Sequence, residues 1–259
     1  MSAPKSEVII VCEGYHDRAF WAGWLLQAQW QGPEVAGQSV KDPWDRTVGQ
    51  GQFGYWRQGR FLRVVPAGGK DKVLSEAARL LTGARTYEVR AMVLNADPDF
   101  AAGQEGRSNP LPAEAVRRRL RDAGLAVDQG NGYPVMVTPP VATGLPIHRV
   151  LWQCDDGPAD GLPAAQTLER LVCAAILAAY PPRGSSVQAF LGNRPGAPAL
   201  TDPAYAHHHK DAAMTHMAGW YAPHGSFDFY REVWRDSRIA AQLEARLRAS
   251  GAWDIVAEL

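Results

Sequence analysis

Cysteine is scarce. Cys12, Cys154 and Cys173 are the only three in 259 residues, widely spaced and with no C-x-x-C pair. A disulfide framework or a Cys-rich zinc site needs paired or closely spaced thiols, so neither is supported, and these read as thiols of a reducing compartment. An excess of one charge is lacking too: Lys plus Arg and Asp plus Glu both number 27. The general cationic excess that marks many nucleic-acid binders is therefore missing, which leaves a local basic groove as the route to such binding. No apolar run reaches the roughly 18 residues of a bilayer-spanning helix. Met1-Ser2-Ala3-Pro4-Lys5-Ser6-Glu7 leads straight into a strand pattern and has no secretory apolar region. A cytoplasmic protein with no membrane partner is expected. No internal repeat with a period of roughly 20–50 residues is visible.

What is present is a chain with 46% hydrophobic residues, enough for one large domain or a domain with an appendage. Val8 to Cys12, Phe61 to Val65 and Val89 to Asn95 are short β-branched or apolar runs, each fit for a buried parallel strand. Tyr133 to Val137 and His148 to Gln153 predict further strands. Helical patterns run over 17–29, 71–81, 113–123 and 164–180. Strands alternating with helices predict an α/β fold, with a mostly parallel sheet covered on both faces. The expected organisation is one α/β domain over 1–180 with a Gly- and Gln-rich insertion or hairpin at 31–60, and a Pro/Gly-rich connector over 181–203. A helical appendage follows over 204–259, with helices over 205–221 and 227–250.

In parallel sheets ligands sit outside the carboxyl ends of the strands, and the acidic residues gather at two such ends. Glu13-Gly14-Tyr15-His16-Asp17 follows the first strand; Asp97-Pro98-Asp99 follows the third. Glu13 leaves its strand at the crevice, Gly14 permits a tight turn, and Asp17 falls in the first turn of the next helix. Asp97 and Asp99 are two apart, so an extended backbone points them the same way. Hard divalent cations take oxygen ligands, and phosphate chemistry needs the metal held by only a few carboxylates. The alternative is that these groups cap helices and turns.

The two motifs, in this order, resemble the Toprim signature E-G-x-x-D followed by D-x-D. That fold is shared by topoisomerases, bacterial primases, recombination proteins and the nucleases of the OLD (overcoming lysogenization defect) class. Gly68-Gly69 after the second strand, and Thr167-Leu168-Glu169-Arg170-Leu171, are similar to features of small standalone Toprim-related proteins. The resemblance covers about residues 6–180. It implies Mg²⁺ or Mn²⁺ as cofactor, Glu13 as general acid/base or metal ligand, Asp97 and Asp99 as metal ligands, and Asp17 supporting a second cation. Glu169 is a further candidate ligand, though a solvated helix face would also suit it. OLD-type nucleases use a lysine near the metals, and Lys210 is the candidate if the C-terminal helices fold back. The chain departs from the larger members: no tyrosine-bearing cleavage domain and no zinc-binding primase module accompany the motifs.

Tyr55, Trp56, Arg57 and Arg60 form an aromatic and cationic segment that could contact single-stranded nucleic acid; a hairpin with packed aromatics is the competing expectation. Gly49-Gln50-Gly51-Gln52-Phe53-Gly54 matches G-x-G-x-x-G in letters only, lacking the preceding strand and following helix of a dinucleotide site. His207, His208, His209 and His216 lack the spacing of a helical zinc pair. The arginines of Val116-Arg117-Arg118-Arg119-Leu120-Arg121 read as a solvated face, or else as a phosphate contact. Trp21 and Trp24 read as core. The sequence thus leads to a metal-dependent, nuclease-like hydrolase acting on nucleic acid. The alternatives are a non-catalytic Toprim module that binds metal and nucleic acid within a larger complex, and a phosphatase-like enzyme with a small substrate.

Overall fold

The computed structural model describes residues 5–34, 37–49, 51–82, 88–99, 110–138, 144–192, 216 and 225–259. The first β-branched run forms β1, Glu7–Cys12, whose six residues are all buried. β1 lies between two parallel neighbours, β3 (Arg60–Pro66) and β4 (Val89–Ala96), and β4 pairs in parallel with β6 (Leu145–Leu151). Short antiparallel strands close both edges: β2 (Phe53–Arg57) beside β3, and β5 (Val135–Val137) beside β6. The sheet order is β2-β3-β1-β4-β6-β5.

The helices are α1 (Tyr15–Gln27), α2 (Val73–Thr82), α3 (Ala113–Asp122), α4 (Leu168–Ala179), α5 (Arg183–Gly192), α6 (Ser226–Arg235), α7 (Ser237–Ala249) and α8 (Ala252–Glu258). Alternation along β1 divides them into two layers. Val8, Ile10 and Cys12 share one core with α1, α4 and the helices after residue 225. Ile9 and Val11 share the other with α2 and α3. A strand covered on both faces has no polar side, which is why β1 reads as an unbroken apolar run. Among the described residues no helix is long and apolar enough to cross a membrane.

The larger core is aromatic. Trp21 stacks on Trp24 with centroids 5.0 Å apart, and Trp24 stacks on Trp234 of α6 at 5.7 Å. Phe20 meets Trp152 edge-on at 4.9 Å. Both α1 tryptophans are core, as expected. Gly23 lets α1 and α6 touch: a Cβ there would lie 2.6 Å from the Tyr230 carbonyl oxygen. Asn95, wholly buried in β4, accepts from the Trp21 indole N–H at 3.0 Å and donates to the Val150 carbonyl at 3.1 Å. It thereby ties α1 to two strands.

Some elements differ from expectation. α5 occupies part of the stretch read as connector, because Val187 and Leu191 stand four apart and bury one helical stripe despite the nearby Pro and Gly. The helix predicted over 227–250 is broken at Asp236, whose Oδ1 accepts the Arg238 and Ile239 amides at 2.9 and 3.1 Å and caps α7. α4 begins at Leu168, not at 164, since Thr167 is its cap and accepts the Arg170 amide at 3.3 Å. The 31–60 stretch contributes β2, the first arm of a hairpin with β3. The helix expected over 205–221 lies outside the described residues apart from His216.

Candidate functional site

In chain order the parallel strands are β1, β3, β4 and β6, yet across the sheet they run β3-β1-β4-β6. The direction of winding therefore reverses between β1 and β4, where open α/β sheets leave a crevice at the strands' carboxyl ends. Glu13 follows β1 and Asp97 follows β4, one on each side of that reversal. The Asp97 amide donates to Glu13 Oε2 at a long 3.4 Å. From β3, the Gly68 and Gly69 amides donate to the Glu13 carbonyl oxygen at 3.1 and 2.9 Å. With φ of 79° and 140°, both positions need glycine. Gly14 does not: its φ of −145° is extended backbone open to any residue, so the glycine expected to permit a turn is not demanded there.

The glycine pair delivers Lys70, whose Nζ lies 2.8 Å from Asp99 Oδ2. Asp99 adopts φ 60°, which breaks the extended alternation. It is exposed while Asp97 is half-buried, so the two do not face the same way as their spacing suggested. Asp97 turns instead to α4, where its Oδ1 accepts the Leu168 amide at 2.8 Å. Asp17 is buried with both oxygens engaged: Oδ2 accepts the Gly14 amide at 3.0 Å, and Oδ1 accepts the Trp152 indole N–H at 2.6 Å. The capping role weighed for these acids is thus realised at Asp17 and Asp97. Glu169 is buried in the first turn of α4, not solvated, with Oε1 3.6 Å from His16 Nδ1.

These carboxyls feel one another. Burial raises the Glu13 pKa; the Asp97 amide and Lys70 oppose this, while Asp99 and Glu169 add to it. Burial pushes Asp17 up to about 7; hydrogen bonds from Trp152 and Gly14 resist, and the charges of Glu13 and Glu169 reinforce. Asp97 is held well above the usual carboxylate range by burial first, then by Asp17, Glu169, Glu13 and Asp99. A region of mutually repelling oxygen donors favours protons or cations. Even so, among the described residues no group of three or more His, Cys, Asp and Glu side chains stands ready to hold a metal ion.

No known protein family matches the sequence, and no curated protein matches it. The fold recurs elsewhere. The crystal structure of hypothetical protein PH0156 from Pyrococcus horikoshii OT3 matches 98% of this chain and 99% of its own, with a TM-score of 0.63 and 16% identity. At that identity the likeness is one of architecture alone, and the printed name assigns no chemistry.

Other expected site residues fall elsewhere. Tyr55 is fully buried and cannot stack on a base, because alternation along β2 turns it inward with Phe53. Trp56 packs on Phe61 with centroids 4.9 Å apart, and Arg57 lies 4.7 Å over the Trp30 ring. The packed-hairpin expectation describes these three. Arg60 is exposed and donates to the Leu259 carbonyl at 3.4 Å, away from the carboxylates. Arg117 is buried, not solvated, and donates to Asp128 Oδ1 at 2.9 Å. Lys210 lies outside the described residues. Sequence reasoning missed Lys70, Trp152 and the exposed Tyr15. Lys70 could have been found from its place directly after the glycine turn; Trp152 leaves no such local mark.

Proposed function

We propose that this chain is a Toprim-like, divalent-metal-dependent phosphoryl-transfer protein, nuclease-like in its action on nucleic-acid phosphodiesters. The observation that carries the reading is the gathering of Glu13, Asp17, Asp97, Asp99 and Glu169 around the winding reversal, with Lys70 beside them. The donor chemistry fits Mg²⁺ or Mn²⁺, since it is all oxygen and mostly anionic. Glu13 and Asp97, joined through the Asp97 amide, would hold the cation, each keeping an oxygen outside the hydrogen bonds described above, and Asp99 would have to turn from Lys70 to join them. Asp17, committed to two N–H groups, holds the start of α1 and adds negative charge from behind.

When bound, such a cation offsets charge on a phosphate and lowers the pKa of a water. The chain's own residues do the rest. Glu13, partly desolvated, takes a proton from the attacking water. Lys70, whose Nζ pairs with Asp99, would offset the acidity of the crevice and offer a donor to a phosphate oxygen. A second reading, a metal- and nucleic-acid-binding module without turnover, draws on the capping roles of Asp17 and Asp97 and the absence of a ready ligand set among the described residues.

Turnover separates the two readings. Labelled single- and double-stranded DNA and RNA, incubated with Mn²⁺, should be cut by the wild type. Glu13→Gln and Asp97→Asn should each abolish cutting with an unchanged circular dichroism spectrum. Full activity in either purified variant removes the mechanism, and binding without any cutting leaves the module.

A further inference from the structure

Among the described residues near the crevice, the large aromatic side chains are interior, with one exception. Tyr15 is 59% exposed, whereas Phe20, Trp21, Trp24, Trp152 and Tyr230 are buried. It stands two residues after Glu13 and two before Asp17, at the first position of α1. Single exposed aromatics are ordinary on protein surfaces; the support beneath this one is less so. The Arg18 guanidinium carbon lies 4.8 Å from the Tyr15 centroid and 4.1 Å from that of Phe53. Arg18 Nη1 also donates to the Gly51 carbonyl, and Phe53 is braced edge-on by Phe227 at 5.3 Å. Tyr15 is thus the outermost member of a cation-backed stack anchored in the core.

A ring held in place beforehand loses little conformational freedom on binding. The guanidinium beneath it adds to the positive charge that Lys70 brings to a largely acidic crevice, which is what an approaching polyanion requires. A nucleobase is flat, has a π-face, and hangs from a sugar with a phosphate on either side. In a duplex its faces are covered by neighbouring bases; only an unpaired base offers one.

We propose that Tyr15, backed by Arg18, is a stacking platform for an unpaired nucleobase, so that the ligand of this site is single-stranded nucleic acid. The proposal deepens the phosphoryl-transfer reading, on which it rests for the fate of the adjoining phosphate: Glu13, the candidate base, stands two residues before Tyr15 in the chain. Stacking tolerates any base, so recognition is by strandedness and not by sequence.

Fluorescence anisotropy tests it with a short labelled oligodeoxynucleotide, the oligoribonucleotide of the same sequence and a blunt duplex, each in Ca²⁺ and again in EDTA. Tyr15→Ala should weaken single-strand affinity by roughly 5- to 150-fold, the range for one lost stacked base. Tyr15→Phe, which keeps the ring, should stay within about twofold of wild type. Duplex affinity should be the same for all three proteins, and a preference between the two oligonucleotides separates DNA from RNA. Equal single-strand affinities for wild type and Tyr15→Ala, or no single-strand binding by wild type, overturns the platform. Tyr15-dependent binding without Mn²⁺-dependent cleavage keeps the platform and removes the reaction. Cleavage with affinity indifferent to Tyr15 does the reverse.

Discussion

Asp17 is under two opposing demands. Each of its oxygens accepts an N–H, an arrangement that suits a charged carboxylate, yet burial pushes its pKa up to about 7 from a model-peptide value of 3.8. A group whose folded pKa is raised binds more protons folded than unfolded between those two values, so stability falls as pH rises through that window and is flat above it. Metal-free protein should therefore lose stability from about pH 4 to about pH 7. Asp17→Asn, which has no proton to lose, should show a shallower slope over the same range. Urea midpoints measured in EDTA across that range check this; parallel slopes for the two proteins would remove Asp17 as the source. The sequence marks Glu13 and Asp97 because each directly follows an apolar strand, and Asp17 because it falls in the first turn of the next helix; both are local signs. Trp152 sits 135 positions from the carboxylate it contacts, and no spacing rule reaches that far. Of the two expectations for Tyr55, the packed hairpin was the readable one: alternation with Phe53 places it on the inward face.

Among elements, the α1–α6 contact is the tightest constraint. Ala is the better helix former than Gly by about 1 kcal/mol. At Gly23, however, the added methyl would meet both the Tyr230 carbonyl oxygen and Trp234 Cδ1 at 2.6 Å. Forcing two packed helices apart costs typically about 1–3 kcal/mol. Gly23→Ala should thus destabilise the protein on balance, read as a lower denaturant midpoint, while an isolated-helix argument predicts the opposite sign. β1 and β4 were legible because burial on both faces makes them continuous apolar runs, whereas β6, expected over His148 to Gln153, runs Leu145–Leu151 and is buried only in alternation. α5 was not legible, because Pro181 and Pro182 precede it and its buried stripe is only Gly184, Val187 and Leu191. The break at Asp236 needed the knowledge that its side chain turns back on the next helix.

For the whole molecule, zero formal charge conceals an uneven distribution: acidic groups collect at one end of the sheet. At β1's other end, Glu7 and Asp42 are matched by Arg63, with Nη2 2.8 Å from Glu7 and 3.4 Å from Asp42. Among the described residues, Glu13, Asp17 and Asp97 at the first end have no such arginine partner. Mg²⁺ or Mn²⁺ should therefore raise the melting temperature of wild type, since a ligand bound only by the folded state stabilises by about 2.7 kcal/mol at a hundredfold excess over its dissociation constant. Asp97→Asn should be at least as stable without metal, because Asn caps as well as Asp, and should gain much less when metal is added. Thermal melts with EDTA and with each cation decide it; equal shifts in both proteins mean that Asp97 is not a ligand.

Asp17 to Trp152 and Trp21 to Asn95 are contacts from successive turns of α1, one to the residue just beyond β6 and one into β4. Together they stitch the back wall of the crevice to the sheet, while Asp99, on a loop, and Lys70, at the start of a short 3-10 helix over Lys70–Lys72, stand at the rim. Side-chain rotations take picoseconds to nanoseconds, whereas helix displacements take microseconds or longer. On such a frame, among the described residues, the quick adjustment to what enters is a turn of Asp99 and Lys70 at the mouth, and the slow one is a shift of α1 against the sheet.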